Sequence, residues 1–97
     1  MKEKLILLSE FCSNSCAEPD FVLCLEREGL IDTRVRDNIK YLLSSQLDDL
    51  EMFTRLHYDL SINVEGIDVI HNLLNQISEM EQELSILRRQ AKNMLSL

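Results

Sequence analysis

The sequence has no tryptophan and contains few residues that interrupt regular structure, with two glycines and one proline among its 97 residues. Chains that remain disordered are usually rich in proline, glycine and charge and poor in apolar residues. Because 45% of the residues here are hydrophobic, we expect an ordered, mainly helical protein. Its length suits one small domain with a modest core.

Basic residues are also scarce, with 10 lysines and arginines against 17 aspartates and glutamates, for a net charge of −7. An acidic chain repels the phosphate backbone of nucleic acids at long range. The charge therefore favours a basic protein partner over direct contact with nucleic acid.

Long hydrophobic runs are missing. The apolar stretch near the N-terminus is too short for a signal peptide, and no segment approaches the length of a membrane span. The three cysteines, Cys12, Cys16 and Cys24, are an odd number and are expected to stay reduced. We therefore predict a cytoplasmic protein without membrane contact, in which the cysteines act as small buried hydrophobes.

Motifs typical of catalysis are absent from the sequence as well. It contains no glycine-rich phosphate loop, nucleophile motif or metal-ligand spacing. His57 and His71 are better explained as partly buried packing residues. We expect a protein that is not an enzyme, with no cofactor, no metal site and no small-molecule substrate.

The first half of the chain predicts two short helices and a hairpin. The run EKLIL could supply a strand, and Ser9 is a candidate N-cap for the segment EFCSNSC. Pro19 suits the start of the next helix and Gly29 its end. Two short helices joined by a turn are typical of a helix-turn-helix. The following alternation around Asp37-Asn38 predicts a hairpin, called the wing below.

The second half predicts two longer helices. Ser45 and Asp48 have the spacing of a capping box. Asn63 is a candidate cap for a last helix that runs from about Val64 to Met94. The apolar face of the earlier helix consists of Leu47, Leu50, Phe53, Leu56 and Leu60.

Apolar residues recur along the last helix at alternating spacings of three and four, which is typical of a coiled coil. A second copy of the chain is the simplest source of the partner helix, so we predict a homodimer. Charge leaves its direction open, because Arg88 could approach Glu81 of an antiparallel partner or Glu83 of a parallel one. The predicted dimer seam consists of Ile70, Leu73, Ile77, Met80, Leu84, Leu87, Ala91 and Met94.

Residues 19–31, PDFVLCLEREGLI, and the hairpin after them resemble the recognition helix and wing of MerR-type winged helices. Recognition helices of that type are normally basic, whereas acids surround the single base Arg27 here. Those acids are Glu18, Asp20, Glu26 and Glu28. We interpret the wing bases as ordinary surface charge, or as residual nucleic-acid contacts if the chain binds DNA. The wing bases are Arg34, Arg36 and Lys40.

Residues 55–90, RLHYDLSINVEGIDVIHNLLNQISEMEQELSILRRQ, resemble the chaperone-modulator CbpM family, relatives of the MerR regulators that do not bind DNA. The shared pattern is an Arg-Leu pair, a helix end, a Gly-Ile pair, apolar residues and an Arg pair. Family members often have an aromatic residue and a proline where this chain has Val64 and Glu65. The matching residues are Arg55-Leu56, Asp59-Leu60, Ile62, Gly66-Ile67, Leu73-Leu74, Ile77, Leu84, Leu87 and Arg88-Arg89.

The resemblance implies a mainly α fold. A MerR-like winged helix-turn-helix head with a small β wing would occupy residues 1–62. A long coiled-coil-type dimerisation helix would occupy residues 63–97, and the two parts would form one structural domain.

The resemblance also implies a function, that of an inhibitor which binds the J-domain of a CbpA/DnaJ-type co-chaperone. J-domains engage a DnaK-type chaperone with a basic helix, which an acidic surface could cover. The alternatives are a MerR-type dimeric DNA-binding transcriptional regulator and a module that docks another basic protein. The acidic partner-binding surface is predicted to consist of Asp48, Asp49, Glu51, Asp59, Glu65 and Asp68.

Overall fold

The computed structural model describes residues 3–95. Residues 1 and 2 of the predicted head and residues 96 and 97 of the predicted long helix therefore lie outside the described residues. The fold is mainly α, as predicted, with a winged helix-turn-helix head, a small sheet and a long C-terminal helix. The elements are β1 (Leu5–Leu7), α1 (Leu8–Asn14), α2 (Pro19–Arg27), β2 (Thr33–Arg36), β3 (Ile39–Leu43), α3 (Leu47–Tyr58) and α4 (Val64–Leu95).

Helix α2 begins and ends where its sequence predicts. Pro19 occupies the first helical position, where its missing N–H costs no hydrogen bond. Gly29 adopts a φ of +78°, a conformation that glycine reaches without steric penalty. Its N–H and that of Leu30 donate to the carbonyls of Glu26 and Leu25, the paired bonds of a Schellman ending.

Helix α1 begins at Leu8, two residues earlier than predicted, so the assignment of Ser9 as its N-cap is wrong. Strand β1 runs directly into the helix, and Leu7 takes the N-cap position without a side-chain hydrogen bond. Ser9 lies inside the helix, where its carbonyl accepts a bond from the Ser13 hydroxyl.

The wing forms as predicted. Strands β2 and β3 pair antiparallel with Arg34 opposite Tyr41. Asp37 and Asn38 have φ values of 52° and 64°, and two consecutive positive φ angles give a tight turn whose twist matches the strands. Strand β1 pairs with the other edge of β3, so the sheet order is β1-β3-β2.

The predicted capping box at the start of α3 is wrong. A 3-10 turn, Ser44–Gln46, precedes the helix, and Gln46 is its N-cap residue. The Ser45 N–H donates to the Glu3 carboxylate at 2.7 Å instead of belonging to a cap. Leu60 is 64% exposed and lies beyond the end of α3, so it is not part of the apolar face.

The core lies where α2, α3 and the base of α4 meet the sheet. Asn63 caps α4 as predicted, because its side-chain oxygen accepts the Gly66 N–H at 2.8 Å. Ile67, in the first turn of α4, is fully buried in the core. From Asn72 to Leu95 the side chains of α4 are exposed. The fully buried side chains are Phe53, Leu25, Leu42, Leu50, Ile67 and Val22.

The cysteines depart in part from the predicted buried role. Cys12 and Cys24 are half-buried, and burial raises the pKa of the Cys12 thiol. Cys16 is exposed and lies beyond the end of α1, so the prediction of a buried packing role is wrong for it. His57 and His71 are half-buried and contact aromatic rings, as expected. None of the helices within residues 3–95 is both long and apolar enough to cross a bilayer.

Candidate partner-binding surface

The six acids predicted to bind a partner lie in two groups. Asp48, Asp49 and Glu51 are exposed on the first turns of α3. The other group lies at the elbow between α3 and α4, where Asp59 is the C-cap of α3 and the base of α4 carries Glu65 and Asp68. At 1.5 Å per residue, the rise along α3 from Asp48 to Asp59 is about 16 Å.

The elbow adjoins a groove between α2 and the base of α4. Two neighbouring hollows of about 290 and 300 Å³ share Cys24, His57 and Val64 as lining residues. The Phe21 ring stacks on His57 with centroids 4.4 Å apart and planes 12° apart. Tyr58 meets both rings edge-on. Apolar and aromatic side chains therefore form the floor of the groove.

Two hydrogen bonds hold the walls of this groove in place. The Tyr58 hydroxyl accepts the Glu18 N–H at 2.8 Å, which ties the end of α3 to the start of α2. His57 Nδ1 lies 2.9 Å from the Ile62 carbonyl oxygen. Because a carbonyl oxygen only accepts hydrogen bonds, Nδ1 carries a hydrogen and is the donor. That bond fixes the imidazole ring and the connection between α3 and α4.

The rim of the groove is acidic, with one base, Arg27, among its lining residues. Of the rim acids, Glu65 alone belongs to the partner-binding set predicted from the sequence. The sequence analysis interprets the other three only as charges that do not suit DNA. Their clustering between residues 18 and 28 is the signal from which a second acidic surface could have been predicted. The acids that line the groove are Glu18, Asp20, Glu28 and Glu65.

The group at the start of α3 has different surroundings. Glu51 borders a hollow of about 260 Å³ that is also lined by Phe11, Cys16 and Arg55. The lining of this hollow therefore includes one base and one acid. Asp48 and Asp49 lie in the first turn of α3, where acids also stabilise the helix dipole.

On the wing side, α2 neutralises one of the three predicted nucleic-acid contacts. The Glu26 carboxylate accepts hydrogen bonds from Lys40 Nζ at 2.7 Å and from the Thr33 hydroxyl. The bond from Lys40, and then that from Thr33, lowers the pKa of Glu26. Arg34 and Arg36 remain exposed, so the wing presents two bases rather than three.

The predicted dimer seam forms an apolar stripe along α4. Ile70 is half-buried against the head, and the other members are exposed in the single chain. Met80 and Leu87, for example, are 62% and 59% exposed. Among residues 3–95, no cluster of three or more His, Cys, Asp or Glu side chains could hold a metal ion.

Comparison with known families gives one match. The MerR HTH family regulatory protein matches residues 6–89, from β1 through the wing and well along α4. The chain belongs to this family. No curated protein and no solved structure matches it. The protein is therefore a MerR-family regulatory helix-turn-helix chain.

Proposed function

We propose that this MerR-family chain is a non-enzymatic modulator that binds the J-domain of a CbpA/DnaJ-type co-chaperone through an acidic surface, and that it does so as a cytoplasmic homodimer. The observation that carries the proposal is the charge around α2. In a DNA-reading head this helix faces phosphates, whereas here acids flank it and Glu26 neutralises the wing base Lys40. Such a surface is suited to a basic protein helix.

The mechanism is competition. A J-domain whose basic helix is covered cannot present that helix to its ATP-driven chaperone. Opposite charges speed the encounter and favour the correct partner. Exposed charges are screened by salt, so the association should weaken as ionic strength rises.

Calorimetric titration of the protein with a J-domain from the same source, at low and at moderate salt, tests the proposal. We expect saturable binding that weakens with salt. Absence of binding at about 100 μM protein, far above a micromolar dissociation constant, would contradict it. The variant Asp48→Lys/Asp49→Lys reports whether the first turn of α3 contributes.

A second candidate is a dimeric DNA-binding transcriptional regulator. The family match and the exposed Arg34 and Arg36 favour it. Retention on heparin or DNA-cellulose at low salt, lost in the variant Arg34→Gln/Arg36→Gln, would support this function. Elution in the flow-through would argue against it, because phosphate contacts supply most sequence-independent affinity.

A further inference from the structure

We propose that the groove between α2 and the base of α4 is the docking site for a basic amphipathic helix of the partner. This inference rests on the proposed function and deepens it, because among the predicted acids it selects Glu65 at the elbow over those at the start of α3. It also adds residues of α2 that the acidic set predicted from the sequence does not contain.

The first argument is the shape and chemistry of the groove floor. The two hollows share Cys24, His57 and Val64 as lining residues, and the rings of Phe21 and His57, which stack on each other, line the first of them. An amphipathic helix binds by laying its apolar stripe on such a floor. Among the acids at the start of α3, Glu51 adjoins a separate hollow, which it shares with Arg55.

The second argument is the placement of charge along the rim. Glu18 and Asp20 line one hollow, and Glu28 and Glu65 line the other. Acids therefore lie along the whole groove, with Arg27 as the one base that lines it. Lysines and arginines flanking the apolar stripe of a docked helix would meet carboxylates in both hollows, and this complementarity selects a basic partner.

Charge reversal at two matched pairs tests the site. Asp20→Lys/Glu65→Lys removes groove acids, and Asp48→Lys/Asp49→Lys is the control. All four residues lie in the first turn of a helix, so both variants lose similar interactions with helix dipoles. In titrations with the J-domain at low salt, we expect the groove variant to bind at least about tenfold more weakly, a loss of about 1.4 kcal/mol. The control should stay within about threefold of the wild type, with equal thermal melting confirming that both variants are folded.

Thiol protection locates the partner without changing the protein. Cys24 lines the groove, whereas Cys16 lines the hollow beside Glu51. Cleavage before Asp20 and Asp32 separates Cys24, in residues 20–31, from Cys12 and Cys16, in residues 1–19, and fragment sequencing by mass spectrometry distinguishes Cys12 from Cys16. We expect bound J-domain to slow alkylation of Cys24 and to leave that of Cys16 unchanged.

Each other outcome overturns the inference. Binding lost in the α3 pair, with Cys16 protected, would move the site away from the groove and leave the proposed function in place. Protection of Cys24 by raising the concentration of this chain alone would assign the groove to a second copy. No binding of the wild-type protein to the J-domain would overturn both the proposed function and the groove assignment.

Discussion

The Glu26 carboxylate on α2 accepts hydrogen bonds from both strands of the wing, from Thr33 in β2 and from Lys40 in β3. These bonds hold its pKa below the usual value for a glutamate. A carboxylate whose folded-state pKa is lowered stabilises the fold above its unfolded-state pKa. That contribution is lost as the pH falls through the folded-state value.

Replacing Glu26 by glutamine should lower the free energy of unfolding at pH 7 by about 1 kcal/mol, because it removes a partly exposed ion pair. The difference from the wild type should shrink as the pH falls below about 4.3, the ordinary pKa of a glutamate. Urea unfolding at several pH values between 7 and 3 measures this. Glu28→Gln, at an exposed position just past the end of α2, is the matched control and should change little.

The sequence identified Glu26 as an acid in an unusual place but could not assign its partners. Thr33 and Lys40 lie seven and fourteen residues further along the chain. Their approach to Glu26 depends on how the wing folds back on α2. A constant difference between the variant and the wild type at all pH values would show that the carboxylate charge itself contributes nothing.

Some helix ends in this fold are determined by residues close in sequence, and others by residues that are distant in sequence. Pro19, Gly29 and Asn63 act on backbone groups within a few residues, so their roles could be predicted. Ser9 and Ser45 could not be placed correctly. In the first case a strand leads directly into the helix, and in the second a distant Glu3 carboxylate binds the Ser45 N–H.

The cap of α4 is tested by Asn63→Ala. Losing the bond from the Gly66 N–H should cost about 1 kcal/mol of stability, measured by thermal or urea unfolding. Asn72→Ala, on the exposed part of the same helix, is the control and should be neutral or slightly stabilising, because alanine is the better helix former. Equal losses in both variants would mean that the cap has no special role.

Gly66 lies where the same cap leaves little space. A Cβ added there would lie 2.8 Å from Ile62 Cγ2 and 3.1 Å from Asn63 Oδ1. A larger residue would therefore push against the capping oxygen. This contact gives a structural reason for the glycine of the Gly-Ile pair.

Across the whole molecule, the heptad pattern of α4 was readable from the sequence, whereas the groove was not. The seam depends on spacing within one helix. The groove joins residues around Asp20 to residues around Glu65, and only packing of α2 against the elbow brings them together. Composition showed that the chain is acidic, but the distribution of those acids over the surface required the fold.

Self-association through the seam is tested by Leu84→Glu. Leu84 and Ile86 are each 47% exposed in the single chain, but only Leu84 belongs to the predicted seam. Sedimentation should give twice the chain mass of 11.3 kDa for the wild type and for Ile86→Glu, and the single-chain mass for Leu84→Glu. A charge buried without a partner opposes pairing, so a Leu84→Glu dimer would place the interface elsewhere.

The length of α4, which has 32 residues, makes the direction of pairing measurable. In an antiparallel pair centred on the seam, the two copies of Val64 would lie on the order of 50 Å apart along the axis, whereas in a parallel pair they would lie side by side. Two J-domains joined by a flexible tether would gain avidity only when the tether spans that distance. The tether length at which avidity appears would therefore report the direction of the pairing, which charge leaves open.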